Sequence, residues 1–467
     1  MSEPLKRPVS VTGLALVSLL LIFAGPAFAG SAAKPPAAEK PQPSPTLLRN
    51  AEAFAQLNAT CPVDKRKELM ITDLSVVEDC WRTTWGPCAA PPTVLPATRG
   101  AWTFKALIES VAGTNNPVVL NTFVRDWLAS WQFVQTVNGD VVPARPFITN
   151  FVIQPWEAAS GSKVLDMQQA PFRLLAIVNR IDLRNAPAGY GQPGTAGEGR
   201  FVFGVIDLND PNGAPEFTVI FEYGLDSENC DQTIRWGLDW HALGGIKFGD
   251  RYNAALQTIT DRFATIGASP RRPNGSAINQ VRTDDFTLAF PWELREFRLD
   301  PRSGAIPVPL TQETVGQTPD RDLDQTPLLA NYVNTDTPAI LAGTHSVPLT
   351  WLGSPFLGGA SPHSLDLGWD GPIPCTSITD LNARFLFSLA TCSGCHGSDT
   401  ATRFYHIFPR PPGVESTLSA FLTGSGPVTD ICGVTNTFDD LERRAQDLCD
   451  LITNGCTDRA LSPAFVH

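Results

Sequence analysis

The chain has 467 residues, of which 43% are hydrophobic and 18% are charged, a balance typical of folded domains and not of disordered chains. This length exceeds one ordinary domain and allows two or three, each with a core of its own. The formal net charge of −12 argues against a nucleic-acid partner.

The N-terminus has the pattern of an export signal. A basic pair, Lys6-Arg7, precedes a mostly apolar run over residues 11–23, and Ala27-Phe28-Ala29 supplies the small residues that signal peptidase requires. We therefore predict a signal peptide over residues 1–29, cleaved after Ala29, and a periplasmic or secreted mature protein. The alternative is an uncleaved anchor, although the apolar run is shorter than the ~20 residues that a membrane span requires. No later stretch is long and apolar enough to cross a bilayer.

The next two segments differ in composition. Residues 30–46 are rich in proline and alanine and predict an extended linker. Residues 47–147 form a cysteine-containing, mostly helical segment, with helices predicted at 102–111 and 118–134 from apolar residues spaced three and four apart. We interpret the aromatic stripe on the second of these helices as a core face and not as a cofactor wall.

Residues 148–377 predict an α+β domain with a loop-rich end. Strands are indicated by apolar runs dense in β-branched and aromatic residues, at 174–178, 201–206, 217–221 and 286–290. Continuous runs of this kind are typical of a sheet covered on both faces. Covering helices are predicted at 233–243 and 252–266. The fold class is therefore α+β and multidomain, with a central mixed sheet followed by a small all-α domain. The acidic pair Asp284-Asp285 is interpreted as a solvated end.

The sharpest chemical pattern is Cys392-Ser393-Gly394-Cys395-His396. Two thiols separated by two residues can each form a thioether with a vinyl group of haem, and a histidine directly after the second thiol can bind the iron. A helix predicted over 381–390 ends just before this motif, and another is predicted over 438–452. The sequence thus predicts one covalent haem c, bound by Cys392, Cys395 and His396.

Residues 378–452 resemble a small c-type cytochrome domain, in which one helix leads into the cysteine pair and a C-terminal helix packs across it. The resemblance covers under one fifth of the chain. It implies a haem domain over 378–467, electron transfer and a redox partner protein. The rest of the chain resembles exported bacterial proteins of unassigned role that also carry this motif, and we recognise no enzyme family there.

The sixth iron ligand departs from the pattern of these domains, many of which use a methionine after the motif. All methionines of this chain precede the motif: Met1, Met70 and Met167. His406 is the nearest alternative, so we predict His396 and His406 as candidate metal ligands. An iron with five ligands, or with an unusual sixth ligand, stays open. Three other histidines would reach the iron only if another domain packs over the haem: His241, His345 and His363.

Other interpretations of the cysteine pair also stay open. A catalytic dithiol would need a helix that begins at the first cysteine. A zinc site would need a further ligand, such as His406 or Cys432. The pair could also form a structural disulfide. The functional hypotheses are accordingly an exported monohaem electron-transfer protein, a haem-dependent oxidoreductase or peroxidase, and a disulfide-stabilised binding protein without haem.

The remaining cysteines favour disulfides. Of ten cysteines, two are assigned to haem, and the other eight permit up to four disulfides in an exported protein. We expect local pairing within the group Cys61, Cys80 and Cys88 and within the group Cys432, Cys449 and Cys456.

Overall fold

An eight-stranded sheet forms the centre of the computed structural model, which describes residues 61–184, 195–363 and 368–456. The predicted signal peptide and linker lie outside the described residues. The strands are β1 (Met70–Ile71), β2 (Phe172–Arg180), β3 (Thr195–Val205), β4 (Phe217–Asp226), β5 (Ile278–Asp285), β6 (Trp292–Leu299), β7 (Leu310–Glu313) and β8 (Ser361–His363). Their order is β1-β2-β3-β4-β5-β6-β8, and β7 also pairs with β6.

Each neighbouring strand pair in this sheet is antiparallel. The prediction of a mixed sheet is therefore wrong. Strands β2 to β6 follow one another along the chain and are neighbours in the sheet, so each connection returns the chain in the opposite direction. The large sheet and its covering helices confirm the mixed helix and strand content.

Thirteen α-helices lie in the described part of the chain. They are Lys65–Glu68, Leu74–Val77, Cys80–Thr83, Phe104–Ala112, Pro117–Gln132, Gln154–Ser160, Cys230–His241, Asp250–Ala264, Pro327–Leu341, Leu381–Leu389, Cys392–Cys395, Ala420–Thr423 and Asp440–Asn454. Among the described helices, none has the length and apolarity that a membrane span requires.

Most elements with a strong hydrophobic pattern were predicted within a few residues of their ends. The strand predicted at 286–290 is wrong, because these residues form the loop between β5 and β6. The loop is closed by local bonds: the Leu288 amide donates to Asp285 Oδ1 at 2.8 Å, and Arg145 Nη1 donates to the Ala289 carbonyl at 2.8 Å. Its apolar residues therefore belong to a turn.

One face of the sheet is apolar and packs against helices. Because side chains alternate between the two faces of a strand, the odd-numbered residues Phe203, Phe217 and Phe221 share this face. Phe104 contacts Phe203 and Phe221 edge to face, and Trp131 contacts Phe217 at 6.0 Å between ring centroids. This contact confirms that the aromatic stripe of the second predicted helix is a core face.

The opposite face of the sheet carries charged side chains among apolar ones and is covered by the C-terminal part of the chain. Phe385 and Leu448, from helices that flank Cys392–Cys395, belong to the same hydrophobic core as Val178 and Val202, which line this face together with His396. A distinct all-α C-terminal domain is therefore not shown among the described residues. The predicted cover on both faces of the sheet is present.

Three disulfides join described cysteines: Cys80–Cys88, Cys230–Cys456 and Cys375–Cys432. The first confirms local pairing in the N-terminal group. Local pairing in the C-terminal group is wrong, because two of its members bond cysteines 226 and 57 residues away. The four unpaired cysteines of the described chain are Cys61, Cys392, Cys395 and Cys449.

Candidate functional site

The predicted motif forms a short helix of its own. The helix Leu381–Leu389 ends, and a second helix begins at Cys392 with Thr391 as its N-cap. The Thr391 hydroxyl accepts a hydrogen bond from the Gly394 amide at 3.0 Å. A Cβ atom on Gly394 would lie 1.9 Å from the carbonyl oxygen of Ser388, so this close approach requires glycine. The motif is thus fixed against the preceding helix.

Both thiols of the motif are fully buried and are not joined to each other. Burial raises the pKa of the Cys392 thiol to about 12 and raises the pKa of Cys395 as well. The helix does begin at the first cysteine, as a thioredoxin-like dithiol would require. Such a dithiol also needs an accessible thiol of lowered pKa. Burial and the direction of both pKa shifts therefore disfavour that interpretation.

His396 is held in an orientation that suits metal binding. Its Nδ1 lies 2.5 Å from the carbonyl oxygen of Phe404, and burial lowers its pKa to about 4. The imidazole is therefore neutral at neutral pH and has one proton, which Nδ1 donates to that carbonyl. The lone pair then belongs to Nε2, the atom that histidine commonly offers to a metal when a carbonyl fixes its other nitrogen.

His406 lies beside the motif, as the sequence led us to expect. Its Nε2 is 3.4 Å from Cys395 Sγ, its Nδ1 is 2.9 Å from the hydroxyl of Ser419, and its ring centroid is 4.4 Å from that of His396. Ligands on opposite sides of one metal are separated by two metal–nitrogen bonds of roughly 2 Å each, with the rings beyond them. His406 would have to move away from His396 to bind the same iron in this way. Its role as a sixth ligand stays a prediction.

The other histidines lie in different surroundings. His363 is 1% exposed and packs against Gly397, where an added Cβ atom would lie 2.2 Å from its Nε2. The fold therefore brings a third histidine to the motif. His241 instead pairs with Glu68 at 2.7 Å, and the His345 ring contacts Phe387.

A zinc site that uses Cys432 is not supported. Within the described ranges, three donors that could hold a metal come together at Asp370, Cys375 and Cys432. Cys375 and Cys432 form a disulfide, so their sulfur atoms are not thiolate ligands.

A cavity that is partly open to solvent lies between the motif and the sheet face that carries the buried charged residues. His396 and His406 line one wall. The apolar lining consists of Met70, Val178, Val202, Ile220, Leu294, Ile407 and Leu422. The charged lining consists of Arg180, Arg200, Glu222, Arg282, Asp284 and Arg444.

The charged wall of this cavity is a buried network that crosses neighbouring strands. Arg282 contacts Glu222 at 3.1 Å and Glu296 at 2.9 Å, and Arg200 contacts Glu222 at 3.0 Å. These residues were not predicted from the sequence. The signal that could have found one of them is alternation: Glu222 stands between Phe221 and Tyr223, so it lies on the opposite face of its strand from those two rings.

Asp284 and Asp285 are buried, with 3% and 1% exposed, so their interpretation as a solvated end is wrong. Asp284 Oδ2 accepts a hydrogen bond from the Thr218 hydroxyl at 3.0 Å, whereas Oδ1 is buried without a partner in the described chain. Burial raises the pKa of this carboxyl to about 7. The cavity therefore contains a carboxyl group that can gain or lose a proton near neutral pH.

This pKa predicts how stability depends on pH. The pKa in the folded protein exceeds the value of about 3.9 in an unfolded chain. Protonated Asp284 therefore contributes fully to stability below the unfolded pKa of about 3.9. This contribution is lost as the pH rises from there through the folded pKa of about 7. We expect Asp284→Asn to raise the free energy of unfolding, relative to the wild type, by on the order of 2 kcal/mol more at about pH 8 than at about pH 5. Urea unfolding at both values measures this difference, and an equal effect at both would contradict it.

Comparison of this chain with models of protein families, with curated proteins and with solved structures returned no match.

Proposed function

We propose that this chain is an exported protein that binds one haem c covalently and transfers electrons. Cys392 and Cys395 would form the two thioethers, and His396 would bind the iron through Nε2. When bound, the haem supplies a one-electron iron couple. The observation that carries the proposal is the motif itself: neither thiol is in a disulfide, and the oriented histidine that follows them borders a cavity.

The lining of the cavity suits the chemistry of haem. A porphyrin has a large apolar ring and two carboxylates on one edge. Apolar side chains from the sheet would pack against the ring, and arginines such as Arg180 and Arg444 would bind the carboxylates. Trp292 stacks on the His396 ring with 5.2 Å between centroids, which limits rotation of that ring.

Export is supported by the N-terminal pattern and by the disulfides. Cys80–Cys88, Cys230–Cys456 and Cys375–Cys432 are typical of proteins in an oxidising compartment. Covalent haem attachment in bacteria takes place in such a compartment. We therefore place the mature chain in the periplasm or outside the cell, with a redox protein as its partner.

A second candidate, a haem-dependent oxidoreductase or peroxidase, is favoured by one observation. Asp284 lines the cavity with a pKa near 7 and could exchange a proton with a bound small molecule. A protein whose iron is high-spin and reacts rapidly with hydrogen peroxide would support this candidate over simple electron transfer.

The first test is the haem content of the wild-type chain made in a host that matures haem c. We expect a sharp reduced α band near ~550 nm, haem that stays with the polypeptide on a denaturing gel, and an intact mass raised by one haem. A colourless protein with the mass of the bare polypeptide would overturn the proposal and leave a disulfide-stabilised binding protein.

A further inference from the structure

A line of contacting aromatic rings leads from His396 to the surface of the protein. Trp292 stacks on His396, and Phe404 stacks on Trp292 with 5.8 Å between ring centroids. Phe286 stacks on Phe404 at 5.3 Å, and Phe290 meets Phe286 edge to face at 6.2 Å. Each step falls within the distances of aromatic contact, so the series is continuous over its whole length.

The inner rings of this series are buried, and its last ring is exposed. Trp292 is 0% exposed and Phe404 is 3% exposed, whereas Phe290 is 74% exposed. A single exposed phenylalanine is common at protein surfaces. Phe290 differs because it is the outer end of a packed series that begins at the predicted iron ligand.

The loop that presents Phe290 is held firmly. Arg145, itself 2% exposed, donates to the Ala289 carbonyl at 2.8 Å and to the Pro291 carbonyl at 2.6 Å. Its guanidinium also contacts Asp285 Oδ2 at 2.8 Å. Buried ionic hydrogen bonds on both sides of Phe290 keep its ring at the surface, although burial would be favourable for such a side chain.

We propose that Trp292, Phe404, Phe286 and Phe290 form the path along which electrons pass between His396 and a one-electron carrier protein that docks over Phe290. The inference rests on the proposed haem site. One electron leaves the reduced iron and the oxidised carrier gains it, and no bond forms or breaks and no proton moves. The net charge of −12 fits a carrier with a basic surface.

A photochemical label tests the path directly. A ruthenium polypyridyl complex attached at Phe290→Cys donates one electron to the oxidised iron after a laser flash, and the return of that electron to the label is timed. We expect Phe404→Leu to slow both transfers several-fold, because a smaller side chain breaks the contact between Trp292 and Phe286. Phe286→Leu, in the half-buried loop, is a second path variant with less effect on folding. The matched control is Phe438→Leu, a buried aromatic position outside the series.

The outcomes separate this inference from the proposed function. Slower transfer in Phe286→Leu, with haem content and midpoint potential unchanged and no effect of the control, supports the path. Equal rates in the path variants and the control would overturn it while the haem assignment stands. A colourless wild-type protein, evident before any labelling, would overturn the proposed function and the path with it.

Discussion

Replacing Cys392 and Cys395 together by alanine is expected to abolish covalent haem. Each thiol can form one thioether, so the double variant has no bond that survives denaturation. We expect no haem on a denaturing gel and a mass equal to that of the bare polypeptide. Both single variants should retain at most one bond and show a shifted α band.

Cys61→Ala with Cys449→Ala provides the matched control. These two cysteines are also buried and outside any disulfide, but they do not belong to the motif. The control should keep its full haem content. Loss of haem in the control as well as in the Cys392→Ala, Cys395→Ala variant would show a general folding defect, and retention of haem in the latter would contradict the assignment.

The candidate site could be proposed from the sequence because its chemistry is local. The two thioethers and the iron ligand of a haem c would fit into five consecutive residues, so spacing alone points to Cys392, Cys395 and His396. Strands β2 to β4 and the helix Asp440–Asn454 were predictable for a similar reason, because their hydrophobic periods lie within one segment.

The cavity opposite the motif was not predictable from local patterns. Arg200 lies opposite Glu222 on the next strand, and Arg282 lies opposite Glu296, so each charge is neutralised by a residue far from it in sequence. Charged residues within a strand otherwise indicate a solvated face. Only the pairing of strands shows that this face is buried, since buried charges require partners.

The prediction of a strand at 286–290 was wrong because apolar residues there do not belong to the sheet. Phe286 and Phe290 belong to an apolar run that resembles a strand, but Asp285 and Arg145 close the chain into a turn there. The hydrophobic pattern of these residues is explained by the aromatic series they join. The segment where the strand prediction was wrong is therefore the loop that presents Phe290, where we propose that electrons are exchanged.

Substitution of Arg384 is expected to cause the largest loss of stability near the motif. Arg384 is fully buried, and its guanidinium contacts Asp399 at 3.1 Å and Asp430 at 2.6 Å, both also fully buried. It also donates to the Trp369 carbonyl at 2.9 Å. Arg384→Met would leave two carboxylates buried without their cation, which costs about 3–5 kcal/mol when one partner of a buried pair is removed. Chemical denaturation of the variant and the wild type measures the loss.

The same substitution links stability to the site, because Asp399 lies three residues after His396. With Asp399 released, the turn that orients His396 through Phe404 loses one of its anchors, and we expect less haem to be attached per chain. Arg302→Met is the control, since Arg302 is 75% exposed and its ion pairs with Asp300 and Glu313 are solvated. The control should keep the unfolding midpoint and the haem content of the wild type. If Arg384→Met unfolds at the same denaturant concentration as the wild type, other groups neutralise Asp399 and Asp430. The motif is then held mainly by its own capping hydrogen bonds.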